Sequence, residues 1–305
     1  MSDKALIFGT GSVGAVYSYI LCNNIFGNDL NCRPRVARSV QEAVDAGHGP
    51  YNFILVTAKA LPSKPSIPDL LRPAITSTTA IALIQNGIAI EELYAKAYPN
   101  NPLISCVAYL PVTQTSLGTF KHSEVETLHL GTYPANLPKD SAADKAAAKL
   151  TTLLQQGGAT AHHHADLQSK RWAKLLVNAS WNPICALSRS PDATFMHSSS
   201  DPPYAAEFVQ AVMLEIASIA NAVGYPEISK ETVEWQMGRA KKRDLPGVEP
   251  SMLADARRGG RMEVDAIVGN AVRIAAEKGV DVPMLRALLV LVRGLDESFG
   301  RDAAS

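Results

Sequence analysis

The sequence has 305 residues, of which 47% are hydrophobic, and its 29 basic side chains balance 29 acidic ones. This length and apolar content suit two domains with ordinary packed cores, and a net charge of zero does not favour nucleic acid or an anionic membrane as a partner. No apolar run approaches the roughly 20 residues that span a bilayer, the opening MSDKALIF has no room for a signal peptide, and the four cysteines are scattered, so we expect a cytoplasmic protein.

The first half of the chain alternates short β-type runs with helical patterns. Such alternation predicts a mainly parallel sheet covered by helices, with ligand sites at the carboxyl ends of its strands. The predicted strands are 5–8, 51–59, 79–87, 103–111 and 126–133. We therefore expect a Rossmann-type α/β domain over residues 1–165.

From about Asp166 onward, long helical periodicities replace the strand patterns. Glycine and proline residues between them are typical helix stops. The predicted helices are 166–188, 204–223, 229–242, 251–257, 262–278 and 283–299. The sequence thus predicts an all-α domain over residues 166–305.

The stretch ALIFGTGSVGAVYSYIL contains the pattern G-x-G-x-x-G between an apolar strand and an apolar helix. In this pattern the first glycine allows a tight turn, the second lets the backbone approach a pyrophosphate, and the third lets the helix pack on the strand. The helix N-terminus adds amide donors and a partial positive charge. The context favours dinucleotide binding over a merely structural turn, and the residues expected to bind are Gly9, Gly11, Ser12, Val13 and Gly14.

The segment NCRPRVARS lies where the dinucleotide fingerprint calls for a residue that selects the cofactor. An acid there holds a ribose 2′-hydroxyl, whereas an arginine accepts a 2′-phosphate. The segment has three arginines and no acid, which favours NADPH with Arg33 as the candidate, although basic residues on an exposed strand edge would look the same. Lys59 and Asn86 end two further predicted strands on the cofactor side, and each also suits an ordinary strand end.

The segment RWAKLLVNASWNP carries Lys174, Asn178 and Asn182 at steps of four within an apolar helix. Residues at that spacing form one polar stripe on a helix. This stripe is a lone cation with two neutral amides, unlike a solvated face that mixes acids with bases. We expect it to border the cleft between the two domains, the alternative being a lysine that reaches solvent from a core helix with two capping amides.

Two further segments contain candidate site residues, a pair of acids and a triplet of histidines. In PSMLADARRGGRMEVDAIVGN, Glu263 and Asp265 are two residues apart and cannot share a helix face, so at most one of them would face the cleft. The triplet His162-His163-His164 has no cysteine or acid at ligand spacing, which favours a surface turn over a metal site.

Taken together, GTGSVG, IQNG, the Lys-x-x-x-Asn-x-x-x-Asn helix and PSMLAD…GGRMEVDAIVGN resemble the ketopantoate reductase (2-dehydropantoate 2-reductase) family in order and spacing over nearly the whole chain. The resemblance implies NADPH-dependent reduction of the 2-oxo acid 2-dehydropantoate to pantoate, a helical domain for substrate and subunit contacts, and a homodimer. No metal is implied.

The resemblance also implies a role for each candidate residue. Lys174 matches the general acid, which would stabilise and then protonate the oxygen that gains charge as hydride reaches the ketone carbon. The remaining matches are to substrate or cofactor contacts: Asn178 and Asn182 beside substrate or lysine, Asn86 beside nicotinamide and substrate, Ser251 at the substrate carboxylate, Glu263 at its hydroxyl and on the cofactor side, and Lys59 at a cofactor-side strand.

One departure from the family pattern lies after the first helix. Family members place a further strand and loop there, whereas here Leu21 is followed by Arg33 within a dozen residues. One strand is therefore expected to be missing, and NCRPRVARS then resembles a later strand of the family. Two alternatives to the ketopantoate activity stay open: a reductase of another 2-oxo acid on the same scaffold, and a shortened, catalytically silent binding protein.

Overall fold

The structure is a computed structural model, and the residues it describes are 3–22, 33–122 and 125–302. The chain divides into two compact units. The α/β unit comprises Met1–Gln85 and Ile90–Gln168, and the helical unit comprises Asn86–Ala89 and Ser169–Ser305. The short segment Asn86–Ala89 thus follows a strand of the α/β unit in sequence but groups with the helical unit.

The α/β unit contains eight described strands and five α-helices, with a single 3-10 turn at Arg72–Ala74. The strands are β1 (Ala5–Phe8), β2 (Phe53–Val56), β3 (Ala80–Leu83), β4 (Leu103–Tyr109), β5 (Val112–Ser116), β6 (Thr119–His122), β7 (Thr127–Thr132) and β8 (Ala161–His164). The helices are α1 (Ser12–Cys22), α2 (Val40–Asp45), α3 (Ile67–Leu71), α4 (Glu91–Ala97) and α5 (Ala142–Gln156).

Six of these strands form one sheet in the order β1-β2-β3-β4-β7-β8. The strands β1 to β4 are parallel, β7 runs antiparallel to β4, and β8 is parallel to β7. Every side chain of β2 and β3 is buried, which is why FILV and AIAL are continuous apolar runs rather than alternating ones. The predicted α/β class is confirmed.

Strand β1 has only one strand neighbour, β2, among the described residues. Its side chains are accordingly exposed or half-buried, unlike those of β2. The expectation that a strand is missing after the first helix concerns residues 23–32, which lie outside the described residues. The segment 33–37 forms no strand, contrary to the expectation for NCRPRVARS, and Ser39 instead caps the start of α2.

Sequence patterns predicted five strands of the α/β unit and missed three. The strands β1, β2, β3, β4 and β7 lie inside the predicted ranges, whereas the β5–β6 hairpin, β8 and the helix α5 were not predicted. The surface turn expected at His162–His164 is wrong, because these residues pair with β7 as part of β8. The rings of His129 on β7 and His164 share a contact of 2.9 Å between Nδ1 and Nε2.

The helical unit contains seven described α-helices and one π-helical turn. The helices are α6 (Gln168–Ser188), α7 (Asp192–His197), α8 (Tyr204–Ala222), α9 (Lys230–Lys241), α10 (Ser251–Arg257), α11 (Asn270–Lys278) and α12 (Pro283–Asp302), and the π turn spans Asp265–Gly269. All six helices predicted from the sequence are present, although the pattern over 262–278 becomes the π turn followed by α11.

Helix α8 forms the centre of the core of the helical unit. It packs against α9, α11 and α12, and residues such as Val209, Val212, Met213 and Ile216 are completely buried. Among the described helices, α8 alone is long and apolar enough to cross a bilayer. Its buried side chains account for that apolarity as the packing of a core helix.

Candidate active site

The glycine loop between β1 and α1 has three glycines in different surroundings. Gly9 adopts a positive φ of +113°, and a Cβ there would lie 2.4 Å from the Ala58 nitrogen. A Cβ on Gly14 would lie 1.9 Å from the Gly9 oxygen, so α1 can approach the loop only without a side chain. A Cβ on Gly11 would meet no atom within 4 Å. The loop is therefore packed closely at its two ends and open at its middle.

This arrangement fits the pyrophosphate of a dinucleotide. Backbone at an open glycine can approach an anion closely, and the first turn of α1, which begins at Ser12 directly after it, has amide groups with no acceptor inside the helix. The Thr57 hydroxyl fixes the loop by donating to the Gly9 oxygen at 2.7 Å. Thr57 was not predicted from the sequence, although it lies directly after β2, and ligand sites occur at the carboxyl ends of such strands.

The two basic residues predicted on the cofactor side are both solvent-exposed. Arg33 lies in the extended segment before α2, and Lys59 lies three residues after the end of β2. Of the neighbouring arginines, Arg35 contacts the His48 ring at 3.0 Å, and Arg38 donates its backbone N–H to Glu42. In the sequence, Arg33 follows the glycine loop at about the distance where the dinucleotide fingerprint has its cofactor-selecting residue.

The main polar feature of the helical unit is the bond between Lys174 and Asn86. The Lys174 Nζ donates to the Asn86 Oδ1 at 2.8 Å, and both side chains are half-buried. The amide is neutral, so it orients the ammonium without adding a counter-charge. The stripe predicted on α6 thus brings its lysine to the asparagine predicted 88 residues earlier.

Several bonds hold the Asn86–Ala89 segment on the helical unit. Arg171 donates to the Gly87 oxygen at 2.8 Å, Asn270 donates to the Ile88 oxygen at 2.8 Å, and the Ile88 N–H donates to the Ala266 oxygen at 2.9 Å. Gly87 has a φ of +101°, and a Cβ there would lie 2.2 Å from that same Ala266 oxygen. The backbone beside Asn86 is therefore fixed in a conformation that requires glycine.

The pKa of Lys174 is lowered from its usual 10.5 to about 8. Loss of water around the amine is the main cause, because burial penalises the charged form. The positive charge of Arg171 lowers the pKa further, and the negative charge of Glu263 opposes both effects. An amine with this pKa is largely protonated at neutral pH and can still give up its proton easily.

Glu263 and Asp265 are in different environments, as their spacing predicted. Glu263 is only 7% exposed and acts electrostatically on Lys174. Asp265 pairs with Arg293 at 2.5 Å, on a part of the unit that is half-exposed. Of these two carboxylates, Glu263 is the one that acts on Lys174.

The remaining predicted residues extend the polar stripe along α6. Asn178 lies one turn after Lys174 and is half-buried, and no hydrogen bond of its side chain to another described residue is seen. Asn182 is buried, and its Oδ1 accepts from the Ser251 hydroxyl at 3.2 Å and from the Met252 N–H at 3.0 Å. Asn182 thus caps α10 from a neighbouring helix, and it holds Ser251 in place.

Arg171 is the main residue that sequence reasoning missed. It is 3% exposed and lies three residues before Lys174 on α6. That i−3 spacing puts both cations on one face of the helix, and it could have been read from the sequence. An apolar helix that carries two neighbouring cations on one face is unusual enough to single out both.

A glycine-loop α/β unit followed by a helical unit with a half-buried lysine points to a dinucleotide-binding oxidoreductase of the Rossmann class. The model described as "Ketopantoate reductase PanE/ApbA" matches residues 23–135, and the model described as "Ketopantoate reductase PanE/ApbA C terminal" matches residues 166–296. The chain belongs to the ketopantoate reductase family.

Known relatives agree with this assignment. The 2-dehydropantoate 2-reductase of Pyrobaculum aerophilum is 27% identical, with 94% of this chain and 96% of that protein aligned. The Meiotically up-regulated gene 72 protein of Schizosaccharomyces pombe is also 27% identical over 88% of this chain, but the chain spans only 48% of that protein's length.

Solved structures agree on the fold. The 2-dehydropantoate 2-reductase of Methylococcus capsulatus superposes with a TM-score of 0.80, at 28% identity and 97% coverage of each chain. A D-mandelate dehydrogenase solved with NADH and anilino(oxo)acetate has a TM-score of 0.79 at 20% identity, over 97% of this chain and 99% of the other. The similarity to D-mandelate dehydrogenase, at 20% identity, shows a shared fold alone.

Titration of the Lys174 amine tests the electrostatics of the site without reference to any reaction. We expect its pKa at about 8 in the folded, ligand-free protein, followed by NMR of ¹³C-labelled lysine side chains with the signal assigned by its loss in Lys174→Ala. Glu263→Gln should lower this pKa further, because the carboxylate now favours the charged amine. A Lys174 pKa near 10.5 would contradict the described site.

Proposed function

We propose that this protein is an NADPH-dependent reductase of a 2-oxo acid, with 2-dehydropantoate as its substrate and pantoate as its product. The observation that carries the proposal is the bond from Lys174 to Asn86, together with the lowered pKa of that amine. The proposal takes residues 1–165 as the dinucleotide-binding domain and 166–305 as the substrate domain of a cytoplasmic enzyme. The proposed assembly is a homodimer, as the family resemblance implies.

The proposed cofactor contacts are all on the α/β unit except Asn86 and Glu263. When bound, NADPH supplies the hydride. The loop formed by Gly9, Gly11, Ser12, Val13 and Gly14 would hold the pyrophosphate, because its middle is open and α1 begins there. Arg33 is the proposed 2′-phosphate ligand, and Lys59 is a proposed contact on the same side.

Lys174 is the proposed general acid. Charge builds on the carbonyl oxygen during reduction, and a nearby ammonium stabilises that charge and then protonates the oxygen. A pKa of about 8 keeps the amine protonated at neutral pH while making proton transfer easier than from an ordinary lysine. Asn86 would orient the ammonium, since it is already its hydrogen-bond acceptor.

The proposed substrate contacts lie beside Lys174 on the helical unit. The Asn178 amide is available for the substrate, because no hydrogen bond of this side chain to another described residue is seen. Ser251 is exposed and would turn its single O–H from the Asn182 oxygen to the substrate carboxylate, while Asn182 keeps its bond from the Met252 N–H. Glu263 would accept a hydrogen bond from the substrate hydroxyl.

A second candidate substrate class is any other 2-oxo acid. The reason is that the same fold serves a D-mandelate dehydrogenase, so the fold does not determine the acid. Glu263 distinguishes the two candidates, because its proposed contact needs a hydroxyl on the substrate. Comparing kcat/KM for 2-dehydropantoate with that for oxo acids without a hydroxyl decides between them, and a strong preference for the latter would contradict the Glu263 contact.

Removal of the amine tests the general acid. Lys174→Ala should lower kcat by about two or more orders of magnitude, because the proton and the charge that stabilise the developing alkoxide are both lost. NADPH affinity, measured by calorimetry, should stay unchanged. Unchanged turnover in this variant would remove Lys174 from its proposed role.

Cofactor affinity tests the glycine loop and Arg33. NADPH should bind roughly tenfold or more tightly than NADH, since a charge-assisted contact with the 2′-phosphate contributes on the order of 1.5 kcal/mol or more. Gly11→Ala should abolish NADPH binding without loss of stability toward urea, because its Cβ meets no protein atom yet occupies the approach to the pyrophosphate. If the native protein shows no saturation at millimolar NADPH, the protein is instead a silent member of the family.

A further inference from the structure

Arg171 is a buried cation one helical turn before Lys174. It is only 3% exposed, although arginine side chains usually remain in contact with water. Its Nη1 donates to the Gly87 oxygen at 2.8 Å, and Gly87 is the residue next to Asn86. Arg171 therefore binds the backbone next to Asn86, whose side chain is the hydrogen-bond acceptor of Lys174.

The backbone at Gly87, to which Arg171 donates, is also held by other contacts. The Gly87 φ is +101°, and its α-carbon lies against the Ala266 backbone so closely that a Cβ would be 2.2 Å from the Ala266 oxygen. The next residue, Ile88, is held on both sides, through its N–H by Ala266 and through its oxygen by Asn270. These contacts and the bond from Arg171 to the Gly87 oxygen together hold the backbone directly after Asn86.

The bond from Arg171 to the Gly87 oxygen does not by itself require a charged donor. A neutral amide could donate to a backbone oxygen equally well, whereas a second buried cation beside an ammonium is unfavourable. The charged groups that act on Lys174 are Arg171 on its own helix and Glu263 from the segment before the π turn, while the Asn86–Ala89 segment carries no titratable side chain. The positive charge of Arg171 lowers the pKa of Lys174 and so makes its proton easier to release, whereas the negative charge of Glu263 opposes this effect.

We propose that Arg171 is a positioning residue of the reductase site, which holds the Asn86 amide against Lys174 and places a second positive charge beside the amine. This inference rests on the proposed role of Lys174 as general acid. It adds an electrostatic function for a residue whose described hydrogen bond is to the backbone of Gly87. Glu263 and Arg171 then form an opposed pair of charges that together set the acidity of the amine.

Two variants of Arg171 separate its charge from its hydrogen bond. Arg171→Met removes both, so the pKa of Lys174 should rise by about one unit, a tenfold change in proton affinity, as a like charge is removed. Arg171→Lys keeps the charge but loses the planar fork, so the pKa should stay near that of the native protein while kcat falls. The Lys174 pKa is measured by NMR on the cofactor-free protein, and kcat with saturating NADPH.

Arg189 provides a matched control. It follows the same helix and also donates to a backbone oxygen, that of Ala256 at 2.9 Å, but it is exposed and does not act on Lys174. Arg189→Met should therefore leave the Lys174 pKa unchanged. A purely structural role for Arg171 would likewise leave the pKa in place and lower only the stability toward urea.

Titration of Lys174 distinguishes a failure of the inference about Arg171 from a failure of the proposed reductase function. If the native protein reduces no 2-oxo acid, the proposed function fails, but the Lys174 pKa in Arg171→Met still reports whether Arg171 acts on the amine. An unchanged Lys174 pKa in Arg171→Met overturns the inference. If that variant does not fold, Arg171→Gln replaces it, with the same rise expected and the same unchanged pKa as the contradicting result.

Discussion

The bond between the Lys174 ammonium and the Asn86 amide is the interaction on which the proposed chemistry depends. It joins a residue on a long helix to a residue 88 positions earlier, and both must be in place before the amine has a defined direction. The acceptor is neutral, so the amine keeps the low pKa that burial gives it. An acid in place of Asn86 would orient the amine equally well but would hold its proton more tightly.

The surroundings of that bond explain several features that would otherwise look like defects. A glycine in the left-handed region, a π turn and a buried arginine all occur around the short segment Asn86–Ala89. Each has a local cost, since π turns are rare in helices and a buried cation is poorly solvated. Features of this kind concentrate at functional sites, and here all of them fix the backbone beside Asn86.

Much of the fold and part of the site could be predicted from the sequence. The buried strands β2 and β3 are continuous apolar runs, and all helices of the helical unit except α7 follow helical patterns in the sequence. The asparagines and the lysine of α6 are placed by simple helical spacing. The strand β8 was missed because its three histidines have no apolar alternation, and it is held by pairing with β7 and by contacts with α5. The i−3 spacing of Arg171 from Lys174 could be read from the sequence, whereas its bond to a backbone oxygen 84 residues away could not.

The dependence of kcat/KM on pH tests the central claim most directly, because it links the acidity of one amine to the rate of reduction. With saturating NADPH, kcat/KM for the 2-oxo acid should be constant below pH 8 and fall about tenfold per unit above it, as Lys174 loses its proton. In Glu263→Gln the fall should begin at lower pH, since the carboxylate that raises the pKa is gone. A profile that stays flat to the ordinary lysine pKa of 10.5, or one that Glu263→Gln does not move, would contradict the account.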